Sequence, residues 1–153
     1  MTFSPESEAP QTIVIDASLA VNAILPIEAA PVYLGFFEKW YAGDAALFGP
    51  ALLLAEAGSA ICQYLFRGLI TLPEAQEAMR RLFDLQVEFV PLDEDLCQQA
   101  LDWAARLGQS KIYDALYLAL TKRLNAEFWT ADRKLVRAAQ EAGAAWVHWV
   151  GDG

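Results

Sequence analysis

Short, wholly apolar runs alternate along this chain with longer stretches whose apolar residues recur at helical spacing. Thr12 to Asp16 is β-branched and apolar up to its last residue, the pattern of a strand buried on both faces. Ser18 then opens a helical stretch, Leu19 to Leu25, stopped by Pro26. Ala30 to Tyr41 reads as a helix ended by Gly43, and Ala45 to Phe48 as a second strand. Pro50 suits the first turn of a helix from Ala51 to Phe66, with Gly68 as its stop. Pro73 starts a helix to Leu85, and Val87 to Val90 is a strand broken off by Pro91. Asp93 caps a helix from Glu94 to Leu107 that Gly108 ends, and Ser110 caps the next, Lys111 to Leu124. Glu127 to Thr130 is a strand, Arg133 to Glu141 a helix followed by Gly143, and Ala145 to Val150 a last strand.

Strands alternating with helices predict an α/β domain, with helices on both faces of a short, mostly parallel sheet. Repeats and low-complexity linkers are absent, so residues 12–150 read as one domain. Residues 1–11 are acidic and proline-containing, with no basic or apolar signal segment, and read as a disordered lead-in. No apolar stretch is long and clean enough to span a bilayer.

Four acids break this pattern. Asp16 ends Ile13-Val14-Ile15, and Glu56 interrupts the apolar helix that begins Ala51-Leu52-Leu53-Leu54-Ala55. Asp114 stands inside an apolar run from Ile112 to Leu120, and Asp132 follows Phe128-Trp129-Thr130-Ala131. A carboxylate in apolar surroundings is costly unless it is paired or bound to a metal. No Lys or Arg lies close in sequence to Glu56, and one His cannot serve all four. A hard divalent cation, which prefers oxygen ligands, would neutralise them together. Asp16 and Asp132 sit at strand ends, and Glu56 and Asp114 lie in the N-terminal halves of helices, so all four point toward one sheet edge. Each also has a plainer role. Asp132 and Ser18 suit helix N-caps, Asp114 is favoured at the start of its helix, and Glu56 can face solvent.

Composition changes the picture only in part. At 153 residues and 56% hydrophobic, the chain is long enough for a core and too apolar to be mostly disordered. The net charge of −9 argues against a nucleic-acid surface. Metal-binding carboxylates count against that sum, however, and the basic residues cluster in Lys122-Arg123, Arg133-Lys134 and Arg137. Arg133, Lys134 and Arg137 are candidate phosphate contacts, as is Lys111 beside Asp114, with an ordinary solvated face as the alternative. The acidic surplus suits a basic protein partner. Cys62 and Cys97 have no metal or redox spacing and read as buried free thiols in a reducing, cytoplasmic compartment. His148 has no partner motif and reads as structural. The aromatic run from Val32 to Phe37, with Trp40 and Tyr41, reads as core or as part of a partner groove.

The segments Val14-Ile15-Asp16-Ala17-Ser18, Pro50 to Glu56, Tyr113 to Ala119 and Thr130 to Leu135 resemble, in order and spacing, the four signatures of PIN-domain proteins. The likeness is nearest to the VapC-type toxin ribonucleases. It implies a three-layer α/β/α fold and an Mg²⁺- or Mn²⁺-dependent endoribonuclease. It gives metal-site roles to Asp16, Glu56, Asp114 and Asp132, with Glu56 either holding metal or orienting water, and supporting roles to Ser18 and Thr130. Where some members carry a further acid, this chain has Lys134. The resemblance also implies an RNA substrate, an antitoxin protein partner and a homodimer. Two alternatives share the fold: a catalytically silent module that binds RNA or protein, and a general RNA-processing nuclease. A phosphoacceptor receiver would need a late Lys after the final strand, where only Gly151-Asp152-Gly153 stands. An Asp-x-Asp phosphatase would need a second acid where Ser18 is found.

Overall fold

A computed structural model of the chain describes residues 9–152. Most of the expected lead-in, residues 1–8, lies outside that range. The element order is β1 (Thr12–Ile15), α1 (Ala17–Ile24), α2 (Ala30–Ala42), β2 (Ala46–Pro50), α3 (Leu52–Phe66), α4 (Leu72–Asp84), β3 (Val87–Val90), α5 (Glu94–Leu107), α6 (Tyr113–Leu124), β4 (Glu127–Thr130), α7 (Arg133–Glu141) and β5 (Val147–Trp149). A short 3₁₀ turn, Val150–Asp152, follows β5. The five strands form one parallel sheet in the order β3-β2-β1-β4-β5. The expected α/β architecture is therefore the observed one.

β1 is central because its sequence tolerates burial on both faces. Ile13, Val14 and Ile15 are fully buried, with β2 on one side and β4 on the other. Helices α1 to α4 pack against one another, whereas α6 packs against α5 and lies on β1, β2 and β4. Right-handed crossovers put α1–α4 on one face of the sheet and α5–α7 on the other. Strand order reverses between β1 and β4, which opens a crevice at their carboxyl ends. The register sets Ile15 beside Trp129, so β1 and β4 deliver their last residues to the same level.

Local chemistry explains the ends of the elements. Asp93 caps α5 through the Leu96 N–H at 2.8 Å, and Gly108 closes the helix at φ +66, a left-handed conformation that favours glycine. Gly49 in β2 lies where a Cβ would meet the Leu53 side chain at 2.8 Å, so a side chain there would require the buried Leu53 at the start of α3 to shift.

Several expectations need correction. Pro50 is the last residue of β2 instead of a first-turn helix residue. Its fixed φ and missing N–H fit the end of a strand equally well. Ser18 does not cap α1, because Asp16 takes the Leu19 N–H. Ser110 does not cap α6, which starts at Tyr113 with no side-chain cap. β5 is shorter than the apolar run around it, since Trp146 lies before the strand and packs edge-on against Trp103. Cys62 is exposed and Cys97 half-buried, because both helices turn those positions partly outward. In α2, Phe37 and Trp40 join the core while Val32, Leu34 and Tyr41 remain exposed. His148 pairs with Glu127 on the neighbouring strand. Among the described residues, no helix is long and apolar enough to cross a membrane.

Candidate active site

Asp16 leaves β1 in an extended conformation and turns its carboxylate back over the start of α1. Oδ1 accepts from the Leu19 N–H at 3.1 Å and from the Ser18 hydroxyl at 2.7 Å, and Oδ2 accepts from the Thr130 hydroxyl. Only 7% of Asp16 is exposed. Burial pushes its carboxyl up to about 6, against the lowering effects of Ser18, Thr130 and the Leu19 amide, and the charge on Asp114 adds to the rise.

Thr130 is fully buried at the end of β4, where it also accepts from the Asp132 N–H at 3.0 Å. Ser18 in turn accepts from the Ala131 N–H at 3.2 Å. These two hydroxyls stitch the β1 and β4 ends together. Asp132 caps α7 by accepting from the Leu135 N–H at 3.2 Å and is itself exposed. Both strand-end acids are thus N-caps. A cap uses one carboxylate oxygen and leaves the charge unneutralised, so the plainer role does not exclude a site role.

Glu56 lies one turn into α3, half-buried, and accepts from the Tyr117 hydroxyl at 2.6 Å. Burial raises its carboxyl above the ordinary range, the Tyr117 bond opposes this, and the charge on Asp114 adds to it. Asp114, in the first turn of α6, accepts from the Gln109 amide at 3.1 Å. Its carboxyl is also raised, first by burial, with Gln109 opposing and Asp132 adding. Tyr117 itself is held far above the phenol range by burial, by its bond to Glu56 and by the charges on Glu56 and Asp16, so it stays a hydrogen-bond donor.

Asp114 is the hub of these effects, since its charge acts on Asp16 and Glu56 and it feels that of Asp132. Glu56 and Asp114 line one cavity of about 450 Å³ with Tyr113 and the Gly108–Lys111 turn. Lys111 is at this cavity, while Arg133, Lys134 and Arg137 are exposed on α7. Arg133 lies over the Trp149 ring, 4.9 Å from its centroid.

Every one of the four carboxylates is held by neutral donors. Among the described residues, none of them has a Lys, Arg or His at ion-pair distance. All buried side-chain N and O atoms described have a hydrogen-bond partner. As the side chains stand, no three described His, Cys, Asp or Glu residues are gathered as a ready metal-holding group. The donor set nevertheless fits a hard divalent cation. It offers oxygens only, with no protein cation paired to them, and Mg²⁺ commonly uses one or two carboxylates with water in its other positions. Tyr117 and Gln109 were not anticipated from sequence. Tyr117 had one usable signal, since three residues after Asp114 places it on the same helix face. Gln109 had none.

No curated protein matches the sequence significantly. The crystal structure of PAE2754 from Pyrobaculum aerophilum is similar with a TM-score of 0.64 at 19% identity, over 93% of this chain and 92% of that one. The VapC20 toxin of Mycobacterium tuberculosis, described as cleaving the sarcin–ricin loop, is similar with a TM-score of 0.59 at 16% identity, over 82% of this chain and 94% of that one. At such identities these are likenesses of fold. The PIN domain family model matches residues 13–141, and the chain belongs to that family.

Proposed function

We propose that this protein is a divalent-metal-dependent endoribonuclease, the toxin of a toxin–antitoxin pair. The observation that carries the reading is the uniform chemistry of the four acids. Asp16, Glu56, Asp114 and Asp132 are each fixed by neutral hydrogen bonds, and three of them are raised by burial and by one another's charge. A set of carboxylates that no protein cation pairs suits a site whose cation comes from solution. Membership of the PIN family and a fold shared with a VapC toxin support the same reading.

Asp16, Asp114 and Asp132 would hold the ion, and Glu56 would join them or orient the attacking water. A bound Mg²⁺ or Mn²⁺ supplies Lewis acidity at the phosphoryl group and a more acidic water. The protein's own part is orientation. Ser18 and Thr130 lock Asp16, Gln109 locks Asp114, and Tyr117 locks Glu56. Lys111 and the α7 cations Arg133, Lys134 and Arg137 would take the RNA backbone on either side of the acids. A basic segment of an antitoxin would complement the −9 net charge. A homodimer completes the proposal.

The test is cleavage of a broad RNA set by partner-free protein, with Mg²⁺, Mn²⁺ or chelator, beside Asp114→Asn. Metal-dependent cutting that falls in the variant by more than about a hundredfold, above the 10–100-fold range of merely supporting residues, is expected. Protein that neither cuts RNA nor binds Mn²⁺ sinks the reading and favours a silent binding module.

A further inference from the structure

Tyr117 is a fully enclosed residue whose side-chain hydroxyl donates to a proposed catalytic group. It is 2% exposed, and its ring stacks on that of Phe128 in β4, with centroids 5.8 Å apart and planes 18° from parallel. Phe128 is itself fully buried, in the strand beside the central β1. The phenol is therefore clamped by packing, and its hydroxyl has a fixed position 2.6 Å from Glu56 Oε1. Glu56 belongs to α3 and Tyr117 to α6, so this bond joins helices from opposite faces of the sheet at its carboxyl edge.

We propose that Tyr117 is a positioning residue for Glu56: it fixes one carboxylate oxygen without neutralising the charge, and so presents the other oxygen to the cavity shared with Asp114. The inference rests on the nuclease reading of the site. Its physical basis is a comparison of possible partners. A free Glu side chain has several rotamers, and holding it in one costs entropy. A Lys or Arg would hold it but would cancel the charge that a metal or an activated water needs. A clamped phenol holds it with one hydrogen bond and leaves the charge in place. Tyr117 and Asp114 lie three residues apart on one face of α6, so the helix carries Glu56's guide and Asp114 as one rigid unit. The competing explanation is that Glu56 merely satisfies a buried hydroxyl. In that case Tyr117 contributes to packing and stability, not to the site.

A double-mutant cycle separates the two. Tyr117→Phe keeps the ring and removes only the hydroxyl, and Glu56→Gln keeps the shape and removes the charge. Parent, both single variants and the double variant are compared by Mn²⁺ titration without RNA, and by kcat on an unpaired oligoribonucleotide. Tyr117→Phe is expected to lower the quantity that Glu56→Gln lowers, be it Mn²⁺ affinity, kcat or both, by about 10–100-fold. On the Glu56→Gln background it is expected to cost nothing more, because its effect passes through Glu56. The inference is overturned if Tyr117→Phe matches the parent in both readouts, or if the two losses multiply. A parent that neither binds Mn²⁺ nor cuts RNA overturns the nuclease reading first, and this inference with it.

Discussion

Thr130 donates its hydroxyl to Asp16 across the β1–β4 seam, joining residues 114 apart in sequence. The same oxygen accepts from the Asp132 N–H, so one buried hydroxyl fixes both strand-end acids. Thr130→Val keeps the shape and removes the hydroxyl. It leaves a buried carboxylate oxygen and a backbone N–H short of a partner, at a cost of about 2–3 kcal/mol. For a chain of this size that corresponds to a fall in Tm of roughly 5–10 °C. Thr130→Ser, which keeps the hydroxyl, is expected to recover most of the loss. Equal melting of Thr130→Val and the parent would show that the seam does not depend on this bond.

What was legible in the sequence follows from which interactions are local. β3 and the α5 helix were readable residue for residue, because Pro91, Asp93 and Gly108 stop and start them by their own backbone chemistry. Asp16 and Asp132 were readable as strand-end acids for the same reason. The caps were harder. Asp16 and Ser18 compete for one amide, and the winner is set by Thr130 and Ala131, which arrive from β4. Pro50 was misplaced because a proline fits a strand end and a helix start about equally. Tyr117 was hidden in an apolar run, where its partner Glu56, 61 residues earlier, gives no local trace. The outward turn of Cys62 depends on what packs against α3, which periodicity alone does not reveal.

The raised carboxyls make a pH prediction with a definite sign. Burial pushes Asp16 up to about 6 from an ordinary value of 3.8, and Glu56 and Asp114 move in the same direction. Over that interval the folded state binds more protons than the unfolded chain. The metal-free protein therefore loses stability as pH rises from about 4 through 6, by about 3 kcal/mol for Asp16 alone. Asp93 works the other way. Arg123 and the Leu96 amide hold it down to about 2, and its contribution is lost only as the pH falls below the ordinary carboxylate range. In chelator, Tm is expected to be higher at pH 5 than at pH 7. Asp16→Asn, which cannot ionise, is expected to reduce that difference and to raise Tm at pH 7. Mn²⁺ is expected to stabilise the parent more at pH 7 than at pH 5, since it competes with the protons. A Tm that rises steadily from pH 5 to 7 in chelator would contradict the buried-acid account.

Gln109 offers a test of Asp114 that does not touch an acid. It is half-buried, and its amide reaches Asp114 Oδ2 at 3.1 Å. Gln109→Ala removes the guide and leaves the carboxylate free to rotate. Catalysis is expected to fall by about 10–100-fold, with little change in melting, because the residue lies on a turn at the edge of the cavity. Gln109→Asn, which is one methylene shorter, is expected to restore only part of the rate. Unchanged kcat in Gln109→Ala would mean that Asp114 is positioned by α6 alone.

The basic residues of α7 bear on how an acidic protein would hold the proposed RNA substrate. Arg133, Lys134 and Arg137 are exposed on the helix that Asp132 caps, and Arg133 is held over the face of Trp149. That contact restrains a long side chain near the acids before any ligand arrives, which lowers the entropy lost on binding a phosphate. Backbone phosphates carry no sequence information, so losing such a contact weakens binding to all sequences alike. Binding of labelled unpaired RNA, measured in chelator across a salt series, should show the effect. Each of Arg133→Ala and Arg137→Ala is expected to reduce the salt slope by about 1, to the same extent on unrelated RNA sequences. Trp149→Leu is expected to weaken binding less than Arg133→Ala with little change in slope, because it frees the guanidinium without removing its charge. An unchanged slope in both arginine variants would assign Arg133 and Arg137 to the solvated surface and leave Lys134 and Lys111 as the candidate phosphate contacts.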